Sequence, residues 1–248
     1  MKLGFWSGAG KPLSTGIRGG TTPFSIKVSA LFPYVWWKLN ETSGTTITNY
    51  GSGGATFNAT WTVGGGALGV AGIGDGLTAV RMNATSQIAN GAFTAPSAAV
   101  MDTGTWMFWW KLSTAQWNDG LNHGTRIDRG DGRNYIRLSK TTGAGLSLQR
   151  VGSAIPGTSY VLAPTKSEDW FILALTWNQA ANQSNAYQIL KGGTVAVSAS
   201  GVSGGAWEVG TALWHIGYSG ATSLGDYAHW ILFPSVLTQA QLQDLARV

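Results

Sequence analysis

The densest run of chemistry-bearing residues in this chain lies between Trp117 and Tyr135, WNDGLNHGTRIDRGDGRNY. It holds three acids (Asp119, Asp128, Asp131), three arginines (Arg126, Arg129, Arg133) and three asparagines (Asn118, Asn122, Asn134), with an aromatic ring at each end. Planar guanidinium, amide and carboxylate groups pair with vicinal hydroxyls, and an aromatic face stacks on the C–H side of a sugar ring. The run is therefore a candidate saccharide-binding segment. The competing reading is two exposed hairpin turns laced with surface ion pairs, each worth little. Asn and Asp oxygens in one loop are also what a calcium ion takes, so this run is the place to look for that cofactor.

Catalytic constellations are harder to find. Glycoside hydrolysis needs two carboxyl groups flanking one bond, yet the close acidic pairs are Glu168 with Asp169 and Asp128 with Asp131. Neighbours on a strand point to opposite faces, so Glu168 and Asp169 cannot serve one substrate. The three histidines, His123, His215 and His229, are too scattered to suggest a metal cluster. No Gly-x-Ser-x-Gly nucleophile turn and no Gly-rich phosphate loop followed by Lys-Ser/Thr is present. The expectation is a non-enzymatic protein without a bound metal.

Charge is distributed unevenly. Lys2, Lys11, Arg18, Lys27 and Lys38 precede the first acid, Glu41, and account for the whole net charge of +5. Residues 1–33 alternate single apolar residues with Gly, Ser, Thr and Pro, which describes an extended basic arm that orders itself on a partner, the alternatives being a solvated tail or a first strand along the edge of the body. Its anchoring residues would be Lys2, Phe5, Trp6, Lys11, Arg18, Phe24 and Lys27. The bases stand seven to eleven residues apart, without the clustering that follows a phosphate backbone, which argues against nucleic acid. The absence of cysteine excludes disulfides and thiolate metal sites. No apolar run is long enough for a signal peptide or a membrane span.

From residue 34 to 248 the pattern is that of about a dozen short strands rich in β-branched and aromatic residues, separated by Gly, Asn, Asp or Ser. In TWMFWWKL and WFILALTW both alternating faces are apolar, so they should be central strands covered on both sides. YIRLSK alternates, with Tyr135, Arg137 and Ser139 opposite Ile136, Leu138 and Lys140, which predicts one solvent-facing sheet surface. Of the thirteen tryptophans, Trp106, Trp109, Trp110, Trp170 and Trp177 fall in the strong strands and read as core. Trp61, Trp117 and Trp207, beside turns, are expected to be exposed. Thr238 as N-cap, Gln241 at the reciprocal position and Leu237 opposite Leu242 predict a short C-terminal helix.

Four segments in order, YVWWKLNETSGTTITNYGSGGATFNATW, GTWMFWWKLST, DWFILALTWNQAANQSNAYQILKGGTVAVSAS and LWHIGYSGATSLGDYAHWILFPSVLTQAQLQDLA, resemble the laminin-G-like, concanavalin A-like lectin-glucanase superfamily. That resemblance implies an all-β fold: an antiparallel two-sheet jelly-roll sandwich over residues 34–248, with the extended N-terminal arm before it and the short helix after it. The chain departs from the family where a closing strand would begin with an acidic pair; Ala228 and His229 stand there, with Asp226 nearby. A calcium site of the family type therefore lacks its ligands.

Arm and body together lead to an expectation of a bacteriophage virion protein: a capsid decoration, head-fibre or fibre component, present in many copies. Its arm would dock on capsid or other virion proteins, and its jelly roll would bind host-surface polysaccharide in host adhesion. The alternative is a free carbohydrate-binding module or lectin.

Overall fold

A computed structural model describes residues 22–61, 66–84, 88–90, 93–94, 101–128, 135–152, 155–203, 211–216 and 223–248. In chain order these contain helix α1 (Phe24–Ala30) and strands β1 (Val35–Trp37), β2 (Thr46–Ile47), β3 (Ala59–Trp61), β4 (Ala67–Ala71), β5 (Thr78–Ala84), β6 (Ile88–Asn90), β7 (Phe93–Thr94) and β8 (Thr103–Lys111). Helix α2 (Thr114–Asn118) follows, then β9 (His123–Asp128), β10 (Tyr135–Lys140), β11 (Leu146–Gly152), β12 (Ile155–Leu162), β13 (Phe171–Asn178) and β14 (Gln183–Leu190). The chain continues through β15 (Val195–Gly201), β16 (Thr211–Ile216) and β17 (Ser223–Phe233) to helix α3 (Gln239–Leu245).

The strands form two antiparallel sheets, in agreement with the expected all-β sandwich. One runs β15-β14-β13-β8-β17-β5-β4, with β1 on the second half of β17. The other runs β12-β11-β10-β9-β16-β6-β3-β2, with β7 beside β16. We call them the inner and the outer sheet.

Strand alternation explains the layering. On β8, Trp106, Phe108 and Trp110 enter the core between the sheets, joined from β13 by Phe171, Leu173, Leu175 and Trp177. Met107 and Trp109, with Ile172 and Ala174, face the other way, into a second apolar cluster that includes Phe24 and Val28 of α1 and Leu242 and Leu245 of α3. The inner sheet is thus buried on both faces, which is why its central strands carry no polar alternation. Inside the main core Trp230 stacks on Trp37 at 4.6 Å and meets Trp106 at 5.1 Å. Its indole N–H reaches Thr125 Oγ1 of the outer sheet at 3.0 Å, so a buried polar atom is satisfied across the two layers.

The tryptophans expected in the core are there. Trp61 and Trp117 are not exposed as expected; they are 3% and 1% accessible. A turn beside a tryptophan says little about which face of the strand or helix carries it, and burial of so large a ring dominates. Trp207 lies outside the described residues.

The arm boundary also moves. Residues 24–30 are helical, and Phe24 (3% exposed) and Val28 (0%) pack on the inner sheet. Lys27 donates to the main-chain oxygens of Asp244 and Arg247 and to Asp244 Oδ1 at 2.8–3.1 Å, placing a cation at the negative end of α3. Phe24 and Lys27, expected to anchor an external partner, instead fasten α1 to the body. The remaining anchors, Lys2, Phe5, Trp6, Lys11 and Arg18, lie outside the described residues.

Helix α3 begins as its sequence predicts: Thr238 accepts from the Gln241 N–H, and the Gln241 side chain accepts from the Thr238 N–H. Replacing Thr238 by Ala should lower stability by about 1 kcal/mol, read as an earlier urea midpoint with an unchanged slope.

Candidate glycan-binding face

The outer sheet is apolar on one side only. Ile127, Ile136, Leu138, Leu146, Leu148, Tyr160 and Leu162 enter the core, so the intervening residues stand on the far face. Register then places Arg126 of β9 opposite Arg137 of β10, Arg137 opposite Gln149 of β11, and Gln149 opposite Ser159 of β12. One row of polar groups crosses four strands, with the Gln149 amide donating to Ser159 Oγ at 2.9 Å. A second row continues from Asp128 through Tyr135 to Val151. The Arg126 guanidinium lies 4.5 Å from the Tyr135 ring centroid, a stack that holds its planar donors in one orientation. On the other side the row is small: Gly124, Ser139 and Ser147 align, and a Cβ on Gly124 would come within 2.6 Å of the Ser139 Cβ. Gly124 lets two strands approach beside the long arginines.

The predicted segment therefore divides. Arg126 and Tyr135 belong to this face, and the backbone of Asp128 sits in register with Tyr135. Arg129, Asp131, Arg133 and Asn134 lie outside the described residues. The first part of the segment does something else. Trp117 is buried and donates to the Ser167 carbonyl at 3.0 Å, so it offers no sugar a stacking face. Asn118 is exposed and accepts from Lys166 at 2.8 Å. Asn122 accepts from the Thr142 N–H at 3.1 Å.

Asp119 is a structural counter-charge. Lys140 is fully buried, because its position in β10 has core-facing parity at the end of the sandwich. Its ammonium donates to Asp119 Oδ1 at 2.6 Å and to the Leu121 carbonyl at 2.9 Å. The other oxygen, Oδ2, meets His123 Nε2 at 2.5 Å, and Oδ1 also accepts from the Leu121 N–H. Burial pushes the Asp119 carboxyl upward, but Lys140, the Leu121 N–H and His123 outweigh it and hold it below the usual range. Both oxygens are committed within the protein, which takes Asp119 out of the candidate saccharide and calcium ligands. Among the described residues no group of three or more acids and histidines converges as a metal site.

Arg137, Gln149 and Ser159 were not singled out by sequence chemistry. The alternation of YIRLSK puts Arg137 on the face away from the core, where it is half-buried and Ser139 is buried rather than solvent-facing as expected, and only register says that it stands beside Arg126. A second recess brings together two distant carboxylates, Glu168 and Asp226, with Arg81 and Lys111. Asp226 is held bidentately by Arg81 at 2.7 and 2.9 Å. The Thr114 hydroxyl and N–H both donate to Glu168 and keep its carboxyl below the usual range. That is the opposite of the raised, protonated acid a glycosidase needs.

No protein-family model matches the chain, and no curated protein matches its sequence. Its fold does match solved structures. The botulinum neurotoxin serotype D binding domain has a TM-score of 0.63 at 11% identity, covering 87% of this chain and 51% of that one. The binding domain of Paraclostridial Mosquitocidal Protein 1 gives 0.61 at 14%, covering 86% and 51%. The CBM40 of Ruminococcus gnavus IT-sialidase gives 0.47 at 12%, covering 68% and 96%. At these identities the likeness is one of fold, and the chain spans about half the length of the two toxin domains.

Removing Asp119 strands a buried ammonium. Asp119→Ala should cost about 3 kcal/mol in urea unfolding, whereas Lys140→Met, which removes the charge and keeps the apolar stem, should cost much less.

Proposed function

We propose that the chain is a non-enzymatic binding module that takes a glycan on the outer face of its nine-stranded sheet. The observation that carries this reading is the in-register row of Arg126, Arg137, Gln149 and Ser159, with Tyr135 orienting the Arg126 guanidinium. Such a row presents donors and acceptors at strand spacing, about 4.8 Å apart, which suits hydroxyls along an extended saccharide.

The host of the module is a separate part of the proposal. The charge split, five bases before the first acid, supports a virion component whose N-terminal segment docks on capsid or other virion proteins, in many copies, while the sandwich engages host-surface polysaccharide. With Phe24 and Lys27 committed to α1, the docking residues reduce to Lys2, Phe5, Trp6, Lys11 and Arg18.

Binding of the purified chain to a glycan array tests the first part. Arg126→Ala and Arg137→Ala should each weaken binding about tenfold or more, the loss expected for a charge-assisted hydrogen bond. Asn118→Ala, off this face, should leave it unchanged. Silence across the array, or loss with Asn118→Ala and not with the arginines, overturns the assignment. For the second part, deleting residues 1–21 should abolish attachment to purified particles while glycan binding persists.

A further inference from the structure

Strand β17 changes partners at a bulge, pairing with β5 through Tyr227 and with β1 from Trp230. Between Ala228 and Ile231 it carries one residue more than the opposing β8, and His229 sits there with φ of 48°. That left-handed conformation is uncommon outside glycine and needs its surroundings to hold it. The bulge sends the imidazole into the layer between the inner sheet and the helices. There it is 0% exposed and meets the Phe24 ring of α1 at 4.5 Å between centroids.

Both ring nitrogens have fixed partners. The Trp36 indole N–H lies 3.2 Å from Nδ1, and an indole can only donate, so Nδ1 is an acceptor and carries no proton. Nε2 then carries it and donates to Asp75 Oδ2 at 2.8 Å. His229 is therefore the neutral tautomer, held between Trp36 of β1 and Asp75 of the turn after β4. A dyad of carboxylate and imidazole so enclosed has no nitrogen left for a substrate. A second proton would set the Nδ1–H against the indole N–H on a ring that is itself fully buried.

The charges around the ring are few. Asp75 favours the imidazolium, while Lys38, next after β1, opposes it. Burial opposes it most, and the net effect places the His229 pKa below that of a solvated histidine. Arg247 and the terminal Val248 border a cavity of about 190 Å³ that reaches Asp75 and Phe24. Lys27 is engaged with Asp244 and the end of α3.

We propose that His229 is an acid-sensitive latch on helix α1: proton uptake undocks α1 while the two-sheet core stays folded. Helix α1 is the removable side of the imidazole's enclosure. It buries only Phe24 and Val28, whereas Trp36 and His229 belong to strands of the inner sheet. Undocking lifts the Phe24 ring from His229 and lets water reach the imidazolium. The closed form resists the proton and the open form accepts it near pH 6.5. The contribution to docking is thus complete above that pH and is lost as pH falls. The open-to-closed ratio should therefore rise as pH falls below about 6.5, by at most about tenfold per pH unit. The Asp75 carboxyl, held below its ordinary value by His229 and the Leu77 N–H against the opposing effect of burial, titrates below this window.

Hydrogen exchange on the full chain at pH 7.5, 5.5 and 4.5, corrected for intrinsic rates, reads the latch directly. Amides at the end of α1, residues 27–31, should lose protection at each step, by up to about tenfold per pH unit below 6.5, while β8 and β13 keep theirs. His229→Gln should abolish the steps. Phe24→Ala should leave residues 27–31 weakly protected even at pH 7.5, with the sandwich intact. Protection of α1 that does not change with pH, equal loss in α1 and β8, or steps that persist in His229→Gln would each overturn the proposal. If His229→Gln does not fold, the comparison of α1 with β8 in the unaltered protein decides alone.

Discussion

Burial of the inner sheet on both faces is the constraint from which the rest of the architecture follows. β8 and β13 carry large apolar groups on each side, and leaving either side in water would expose rings such as Trp109 or Trp110, each worth several kcal/mol of transfer free energy. One side is closed by the outer sheet. The other is closed by α1 and α3, which contribute Phe24, Val28, Leu242 and Leu245. The strands of the outer sheet alternate, and its far face carries Arg126, Arg137, Gln149 and Ser159 beside the buried Ser139 and Ser147. The candidate binding face is thus the complement of the core, determined by which sheet needed two covers.

Within the sandwich, polar groups are admitted where a partner is guaranteed. Lys140 enters at one end because Asp119 and the Leu121 carbonyl meet it. Arg150 is likewise buried, its guanidinium reaching the carbonyls of Ser203 and Met101. Burial lowers its pKa to about 10, against the opposing influence of Asp102, and it still carries its charge at neutral pH. These cations lie buried between the two sheets of a sandwich that has no disulfide to hold it. Their counter-groups are therefore structural, although the same residue types on the surface would look like a ligand site. His229 belongs to the same class with one difference. Its partners, the Trp36 indole N–H and Asp75, fix a neutral form.

Much of this was legible in the sequence. Strand-like periods, the two strands with apolar residues on both faces, the core-facing parity of Ile136 and Leu138 and the reciprocal cap at Thr238 are local patterns, and local backbone preference and burial parity express them directly. The readings that failed share a cause. Trp61, Trp117, Asp119, Phe24 and Lys27 were judged by their sequence neighbours, Gly, Asn, Asp or an arm-like composition, yet each is governed by a group distant in the chain: Lys140 for Asp119, the end of α3 for Lys27, Trp109 and His229 for Phe24.

The sequence alone determined the fold class, the strands that must be central and the helix that ends the chain, because periodicity and capping act over a few residues. Tertiary structure decided which polar residues face each other. Arg126 and Arg137 lie eleven positions apart in a chain crowded with similar groups, and only strand register sets them side by side. His229 and Asp75, 154 residues apart, meet only because a bulge turns one strand toward a helix, and no local pattern records that a ring nitrogen will find an indole there.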